Sequence, residues 1–460
     1  MGVRPATHEA NKLPLPGRKS RSRLRLNTLS IGNYKSLRKV TFEPSALTVM
    51  AGPNGSGKSN FADALDFISE VYRHGLEVAV ASKGGYENIA HRKMRRTKSP
   101  ISISVRAELD RGDSRFPNRT VTTPRHFPAQ MRIEHSFSLL AEGSSIRADY
   151  RITSEVLWLY EYTTDSARLV LHADRHGDKI KVSTTQAVEE LPPQQSRLYD
   201  TRDFEYFASR DRSLAPTDLF LSAVGRFTPA LSTFTSAIGR MRIFQIHPNI
   251  SRDEGVPGPR PELSRNGSNL PAVIDSLRKR SPRAWAKVLE LMRAVLPSLS
   301  NIEVAYTPSR RLGLFFYEDG TGRPWSVGEI SDGTIQTLAL LVALFEPQST
   351  LLLIEEIENS VHPWIIRNLV DACKEVSVGK QVIVTTHSPV VLNLVEPRDI
   401  FIVSRNAGET SVEPLARLDP DYIAAWEAGE SSSFEFLDSG IIPQAVPPQL
   451  PLGLSKSMSQ

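Results

Sequence analysis

Three short stretches of this chain carry residues whose types and spacing suit chemistry on a bound phosphate. The first is Gly52-Pro53-Asn54-Gly55-Ser56-Gly57-Lys58-Ser59, a full match to G-x-x-x-x-G-K-[ST]. Glycines let successive backbone N–H groups turn inward and form a nest for an anion. A helix starting at such a loop adds the positive end of its dipole. Lys58 would bring a point charge to the outer phosphates, and the Ser59 hydroxyl could ligate Mg²⁺. The second stretch is Glu355-Glu356, which ends the apolar run Leu351-Leu352-Leu353-Ile354. One carboxylate there can join the shell of a Mg²⁺ ion, and the next can orient or deprotonate an attacking water. The third is His387, which follows Gln381-Val382-Ile383-Val384-Thr385-Thr386. A neighbouring strand would set it beside a terminal phosphate as a hydrogen-bonding switch.

Each stretch has a plainer reading. A glycine turn can precede Lys-Ser by chance, a buried strand can meet solvent at two glutamates, and a lone histidine is usually structural. The surrounding elements decide between them. Ala46 to Ala51 is short, apolar and bounded, as a buried strand is, and Phe61 to Ile68 has helical apolar spacing in a helix expected to run to His74. Strand, glycine loop and helix together make the setting of a phosphate-binding loop. Ile330-Ser331-Asp332-Gly333-Thr334 opens an apolar helix that reaches Phe345, with Ser331 placed as an N-cap. Taken alone, that is simply a capped helix.

The chain has 460 residues, room for two or three domains or for one large nucleotide-binding domain with insertions. Its net charge of +5 permits nucleic-acid contact without requiring it. A single cysteine, Cys373, excludes an internal disulfide and a cysteine-based metal site, and it suits a reducing cytoplasm. Apolar runs such as Leu338 to Phe345 are far too short to span a bilayer, and no signal peptide is visible. A basic lead over 1–24 reads as a disordered tail. His91 to Lys98 is basic or potentially basic at six of eight positions, and Arg278-Lys279-Arg280 with Arg283 and Lys287 forms a second such run. Both read either as solvated loops or as contacts to a nucleic-acid backbone. Alternation over 101–190 predicts an antiparallel meander, and helical patterns follow at 217–240 and 270–297. Neither helical pattern holds heptads, which argues against a coiled-coil arm. The last stretch is proline-rich and polar.

Glycine loop, serine-glycine turn, helix, carboxylate strand, helix and histidine strand follow one another in the order found in an ABC-type ATPase. On these motifs the chain resembles the ABC-type ATPases of the SMC, RecF and OLD-nuclease group. More narrowly, it is similar to the compact bacterial AAA-type ATPases of that group, many of which lie in anti-phage defence operons. The resemblance covers 25–75 and 300–405. It implies an α/β P-loop NTPase fold of ABC-ATPase type, with an antiparallel β subdomain and an inserted helical subdomain. The expected division is a tail over 1–24, a discontinuous ATPase core over 25–100 and 300–405, and a β-rich part of the head over 101–190. A helical insertion over 191–299 and a C-terminal extension over 406–460 complete it. By resemblance, Gly52, Asn54, Gly55, Ser56, Gly57, Lys58, Ser59 and Asn60 hold ATP. Ser59 and Glu355, which replaces the more usual Asp, bind Mg²⁺. Glu356 is the catalytic base, assisted by Lys58 and by His387 as switch. Ser331 and Gly333 match the signature that touches ATP bound to the other subunit, and Glu358-Asn359-Ser360 falls at the loop crossing that interface. Asn33 to Ser36 resembles an early family motif near the nucleotide. Thr334 stands where transporters have Gln and Ile357 where the subgroup has Pro. The glutamine of the Q-loop is unassigned.

The resemblance implies a homodimer that closes head to head around ATP and opens on hydrolysis, acting as the sensor or switch of a multi-protein complex. OLD-type relatives carry a C-terminal Toprim nuclease, whereas here 55 residues follow Arg405 and the D-x-D at Asp419-Pro420-Asp421 reads as a polar turn. The effector, a nuclease or toxin, is therefore expected on a separate polypeptide. The alternative is a RecF-like repair ATPase that binds DNA through Arg92–Lys98 or Arg278–Lys287. The insertion over 101–299 argues against the ATP-binding half of a transporter.

Overall fold

The computed structural model describes residues 23–93, 99–110, 130–143, 149–162, 167–176, 179–184, 215–224 and 229–429. Residues 1–22 of the basic lead, 94–98 of the first basic cluster and the tail from 430 lie outside the described residues.

The segments that read as buried strands form the middle of a mainly parallel sheet. β3 (Leu47–Ala51), β13 (Leu351–Ile354) and β14 (Gln381–Thr386) are buried at every position, as a sheet covered on both faces demands. β9 (Arg242–Phe244), β15 (Ile400–Asn406) and β16 (Glu409–Pro414) complete it, in the order β16-β15-β3-β14-β13-β9. Every pairing from β15 to β9 is parallel, and β16 returns antiparallel along β15.

The two-residue period sends alternate side chains to opposite faces. Met50, Leu351, Leu353 and Ile383 enter one core, together with Phe61, Leu65 and Ile68 of helix α1 (Lys58–His74). Val49, Leu352, Ile354 and Val384 enter the other. There they meet Ile274 of α2 (Leu270–Arg280), Val288 of α3 (Pro282–Val295), Leu338 and Val342 of α4 (Asp332–Phe345), and Ile366 and Leu369 of α5 (Pro363–Ser377). Each such apolar side chain removed from water contributes about 1.5–3 kcal/mol.

The alternating run forms β4 (Ile101–Asp110), β5 (Gln130–Glu142), β6 (Asp149–Tyr162), β7 (Ala167–His176) and β8 (Lys179–Thr184). With the hairpin β1 (Arg23–Tyr34) and β2 (Leu37–Phe42) they make an antiparallel sheet in the order β2-β1-β4-β5-β6-β7-β8. Its inward residues, such as Ile103, Ile133, Phe137 and Leu157, share the first core with α1. A smaller sheet of β10 (Leu299–Tyr306), β11 (Leu312–Glu318) and β12 (Trp325–Ser326) precedes α4.

Two placements differ from the expected division. β9 falls inside the span expected as a helical insertion, yet it is an edge strand of the parallel sheet, pairing Phe244 with Ile354. Helices α2 and α3 of the same span pack into the second core. β16 falls beyond 405, yet it pairs with β15 along six residues, from Phe401–Pro414 to Asn406–Glu409. Asp419 of the D-x-D accepts a hydrogen bond from the Tyr422 N–H at 3.1 Å, capping a helix over 420–427.

Candidate active site

Parallel pairing determines which strand ends meet. β3 ends at Ala51, opposite Thr386 of β14. β13 ends at Ile354, opposite Val384 of β14 and Phe244 of β9. Gly52, His387, Glu355 and Gln245 therefore leave four adjacent strands at one edge, where open α/β sheets bind ligands.

The glycine loop turns from β3 into α1. Gly57 caps the helix at φ 111°, and a Cβ there would lie 2.1 Å from the Thr410 hydroxyl. Only glycine satisfies both demands. Lys58 Nζ donates to the carbonyls of Gly52 at 2.6 Å and Pro53 at 3.0 Å. Burial pulls the Lys58 ammonium below its ordinary pKa, against the opposing pull of Glu356, Glu358 and Glu355. Three carboxylates thus act electrostatically on this one cation. The Ser56 hydroxyl is buried without a hydrogen-bond partner, while Asn54, Gly55 and Ser59 are exposed. Asn60 Nδ2 donates to Ser36 Oγ at 2.7 Å.

The two glutamates after β13 differ sharply. Glu355 is buried, and its N–H donates to Phe244 O at 2.8 Å. Glu356 is half-buried, with φ 50° and its N–H donating to Thr385 Oγ1 at 3.0 Å. A left-handed residue that is not glycine costs about 1–3 kcal/mol and persists only where its surroundings impose it. Here it breaks the alternation of β13 at the second carboxylate. The His387 N–H donates to Glu358 Oε1 at 2.8 Å, and its Nδ1 lies 3.3 Å from the same oxygen. Strand β14 and the loop after β13 are thereby joined beside the site.

Sequence reasoning missed four groups here. Arg265 Nη2 donates to Glu355 Oε1 at 2.7 Å, and no motif marked it. Gln245 is exposed at the end of β9, next to the backbone that binds Glu355, and is the glutamine this edge offers to a Q-loop. Thr410 of β16 donates to Ser56 O at 2.9 Å, and its hydroxyl lies 2.8 Å from Ser36 Oγ. It ties the Asn33–Ser36 motif to the glycine loop. Asp63 of α1 accepts from Tyr34 Oη at 2.8 Å and pairs with Lys35 at 2.5 Å and Lys83 at 2.8 Å. Burial opposes ionisation of Asp63, yet hydrogen bonds from Lys35, Lys83 and Tyr34 hold its pKa below the ordinary value. Asp63 and Asp66 lie three residues apart on one helix face, a spacing that was visible in the sequence.

Ser331 is exposed and Gly333 half-buried. Ser331 Oγ accepts from the Thr334 N–H at 3.3 Å, so it caps α4. A Cβ on Gly333 would come 2.9 Å from the Ser360 carbonyl oxygen. The signature turn therefore abuts the loop expected at the subunit interface, and Asn359 and Ser360 of that loop are exposed too. In the first basic cluster Arg92 and Lys93 are exposed and His91 is buried. In the second, Lys279 pairs with Asp275 at 2.7 Å, and Lys287 with Glu290 at 3.1 Å and Glu375 at 3.4 Å. Two of the five cations of that second run are thus ion-paired within the chain. No described helix is long and apolar enough to cross a membrane.

Comparison with known proteins places the chain among ATPase-related sequences. Residues 47–393 match the family described as "AAA domain, putative AbiEii toxin, Type IV TA system". The chain is 22% identical over 403 residues to the "Retron Ec83 probable ATPase" of Escherichia coli, covering 83% of this chain and 71% of that protein. It is also similar to an SMC head bound to the C-winged helix domain of ScpA, at 16% identity and TM-score 0.44, over 84% of this chain and 97% of that one. An SMC head with an extended coiled coil, bound to the C-terminal domain of ScpA and derived from Pyrococcus furiosus, matches at 15% identity and TM-score 0.42, over 89% of this chain and 100% of that one. The family match spans well over half of the 460 residues. The chain therefore belongs to this AAA-domain family.

Proposed function

We propose that this protein is an ATP-driven switch: it binds Mg·ATP at the edge of the parallel sheet, two copies close head to head around the nucleotide, and hydrolysis opens them. The observation that carries this reading is the meeting of the glycine loop, Glu355-Glu356 and His387 at one end of the sheet. The loop N–H groups around Gly55 to Ser59 and the start of α1 hold the triphosphate, with Gly52, Asn54 and Asn60 shaping the loop. Lys58 exchanges the carbonyls of Gly52 and Pro53 for phosphate oxygens. The Ser59 hydroxyl and the Glu355 carboxylate form an all-oxygen donor set, which suits Mg²⁺, an ion held by one or two carboxylates plus phosphate oxygens. When bound, Mg²⁺ would neutralise phosphate charge. Glu356 takes the proton of the attacking water. His387, held by Glu358, donates a hydrogen bond to the terminal phosphate, and Gln245 serves as the Q-loop glutamine.

Ser331 and Gly333 reach the nucleotide of the second copy, and their place on an exposed turn beside Ser360 supports that role. ATP thereby acts as the bond between two copies, and chemistry becomes a change of shape. The setting we infer is cytoplasmic anti-phage defence, with a separate nuclease or toxin as effector, and the retron ATPase relative supports it. The test is Glu356→Gln, which should retain ATP and accumulate dimers in size-exclusion chromatography. A variant that stays monomeric at saturating Mg·ATP would end the switch reading. A second reading, RecF-like DNA binding, rests on exposed Arg92 and Lys93. It requires that charge reversal there abolish salt-sensitive DNA binding while ATPase survives.

A further inference from the structure

We propose that Arg265 is the positioning residue of the metal-side carboxylate: it holds Glu355 in one orientation and locks it to the helix that carries Lys58 and Ser59. The Glu355 side chain is 3% exposed, and a carboxylate so buried needs a partner within the protein to satisfy its oxygens. Arg265 Nη2 stands 2.7 Å from Glu355 Oε1, while Nη1 lies 3.4 Å from Asp66 Oδ2 and 3.9 Å from Asp63 Oδ1. One guanidinium fork thus spans from the end of β13 to the outer face of α1. Its backbone is held as well, because Arg265 O accepts from the Gln245 N–H at 2.8 Å.

The charges of this cluster balance. Glu355, Asp63 and Asp66 face Lys35, Lys83 and Arg265, with Lys83 bridging Asp63 at 2.8 Å and Asp66 at 2.7 Å. Among these pairs Arg265 alone serves Glu355. Burial disfavours the guanidinium charge, but the bond to Glu355 and the neighbouring Asp66 and Asp63 outweigh it and raise its pKa. A glutamate carries one more rotatable bond than the aspartate usual at this place. Arg265 removes that freedom, and its planar fork does so with a geometry lysine lacks.

The inference rests on the reading that the site binds Mg·ATP. Its test uses the full chain, with Arg265→Ala, Arg265→Lys, Glu355→Gln and the double variant. Two quantities are measured: the Mg²⁺ concentration for half-maximal ATP hydrolysis, and the affinity for a fluorescent ATP analogue in EDTA and in Mg²⁺. Removing the group that orients a metal ligand typically weakens the metal about 10–100-fold. R265A should therefore raise the Mg²⁺ requirement at least about tenfold and shrink the Mg²⁺-dependent gain in analogue affinity, while affinity in EDTA stays within about twofold. R265K should lie between it and the wild type. The double variant should be no worse than E355Q, since both act through one carboxylate. A wild-type Mg²⁺ response in R265A, an equal loss in EDTA, or additive effects in the double variant would each overturn the proposal. If R265A does not fold, R265K carries the same readouts, and an unchanged Mg²⁺ requirement there overturns it. A wild-type protein that binds no Mg·nucleotide would instead defeat the proposed function.

Discussion

In the parallel sheet the chemistry-bearing groups stand at strand ends, where Glu355, Glu356, His387 and the glycine loop follow the last hydrogen-bonded residues. In the antiparallel sheet a buried polar pair sits in mid-strand. His135 of β5 and Glu155 of β6 are both wholly buried, 3.1 Å apart. Tyr72 of α1 meets His135 Nδ1 at 2.7 Å. Glu155 accepts from the N–H groups of Phe220 at 2.7 Å and Leu221 at 3.0 Å. These bonds dock α1 and the helix over 220–224 onto the sheet. At the first edge the Ser56 hydroxyl still lacks a partner, and Lys58 holds only loop carbonyls that it can exchange. At these two places the groups at strand ends are open to a ligand, whereas the mid-strand pair is consumed by the fold.

The largest expected effect breaks the mid-strand group. Glu155→Ala leaves two buried N–H groups and His135 without their acceptor. Losing one partner of a buried ionic network costs about 3–5 kcal/mol. Chemical unfolding should show that loss, while the folded fraction binds nucleotide as before. A loss under about 1 kcal/mol would mean that the mid-strand pair is no anchor.

Lys58→Ala acts on the strand-end group and should do the reverse. Loss of one electrostatic stabiliser of this kind lowers turnover about 10²–10³-fold, near 3–4 kcal/mol of barrier. Stability should hold or rise slightly. The sign follows from burial: a lysine pKa lowered by folding means that protonated Lys58 opposes the fold at neutral pH. That penalty fades as pH rises through the lowered folded pKa toward the ordinary lysine range. Stability difference between wild type and K58A, measured at neutral and high pH, should therefore narrow with rising pH. A variant destabilised as strongly as E155A would erase the distinction between the two sheets.

The same contrast explains what was legible in the sequence. Strand-end chemistry is written in contiguous residues, so Gly52 to Ser59, Glu355-Glu356 and His387 could be read as motifs and placed on strands by their apolar runs. Alternation over 101–190 was likewise visible, because each strand is long enough to show its period. Groups that arrive from distant stretches were not. Arg265 comes from an irregular loop and meets Glu355 ninety positions away, and Thr410 lies beyond the recognised core. β9 has three residues, Arg242 to Phe244, too few for any period, so its place beside β13 was hidden within an apparently helical span. His135 and Glu155 fall in phase with the inward Ile133, Phe137 and Leu157, but only the packing of α1 and the 220–224 helix shows what they bind there.

The smallest effect sharpens the comparison at the signature, where one serine carries two readings. As a cap, Ser331 satisfies the Thr334 N–H at the start of α4, and Ser331→Ala should cost about 1 kcal/mol of stability for that reason alone. Aspartate caps as well as serine does, so Ser331→Asp should unfold like the wild type. Its carboxylate, however, would meet the triphosphate of a second copy with like charge. In a Glu356→Gln background, S331D should keep nucleotide binding and lose the ATP-dependent dimer. If S331D dimerises as the parent does, Ser331 belongs with the mid-strand pair, a group used by its own chain, and the exposed turn beside Ser360 is not part of a shared pocket.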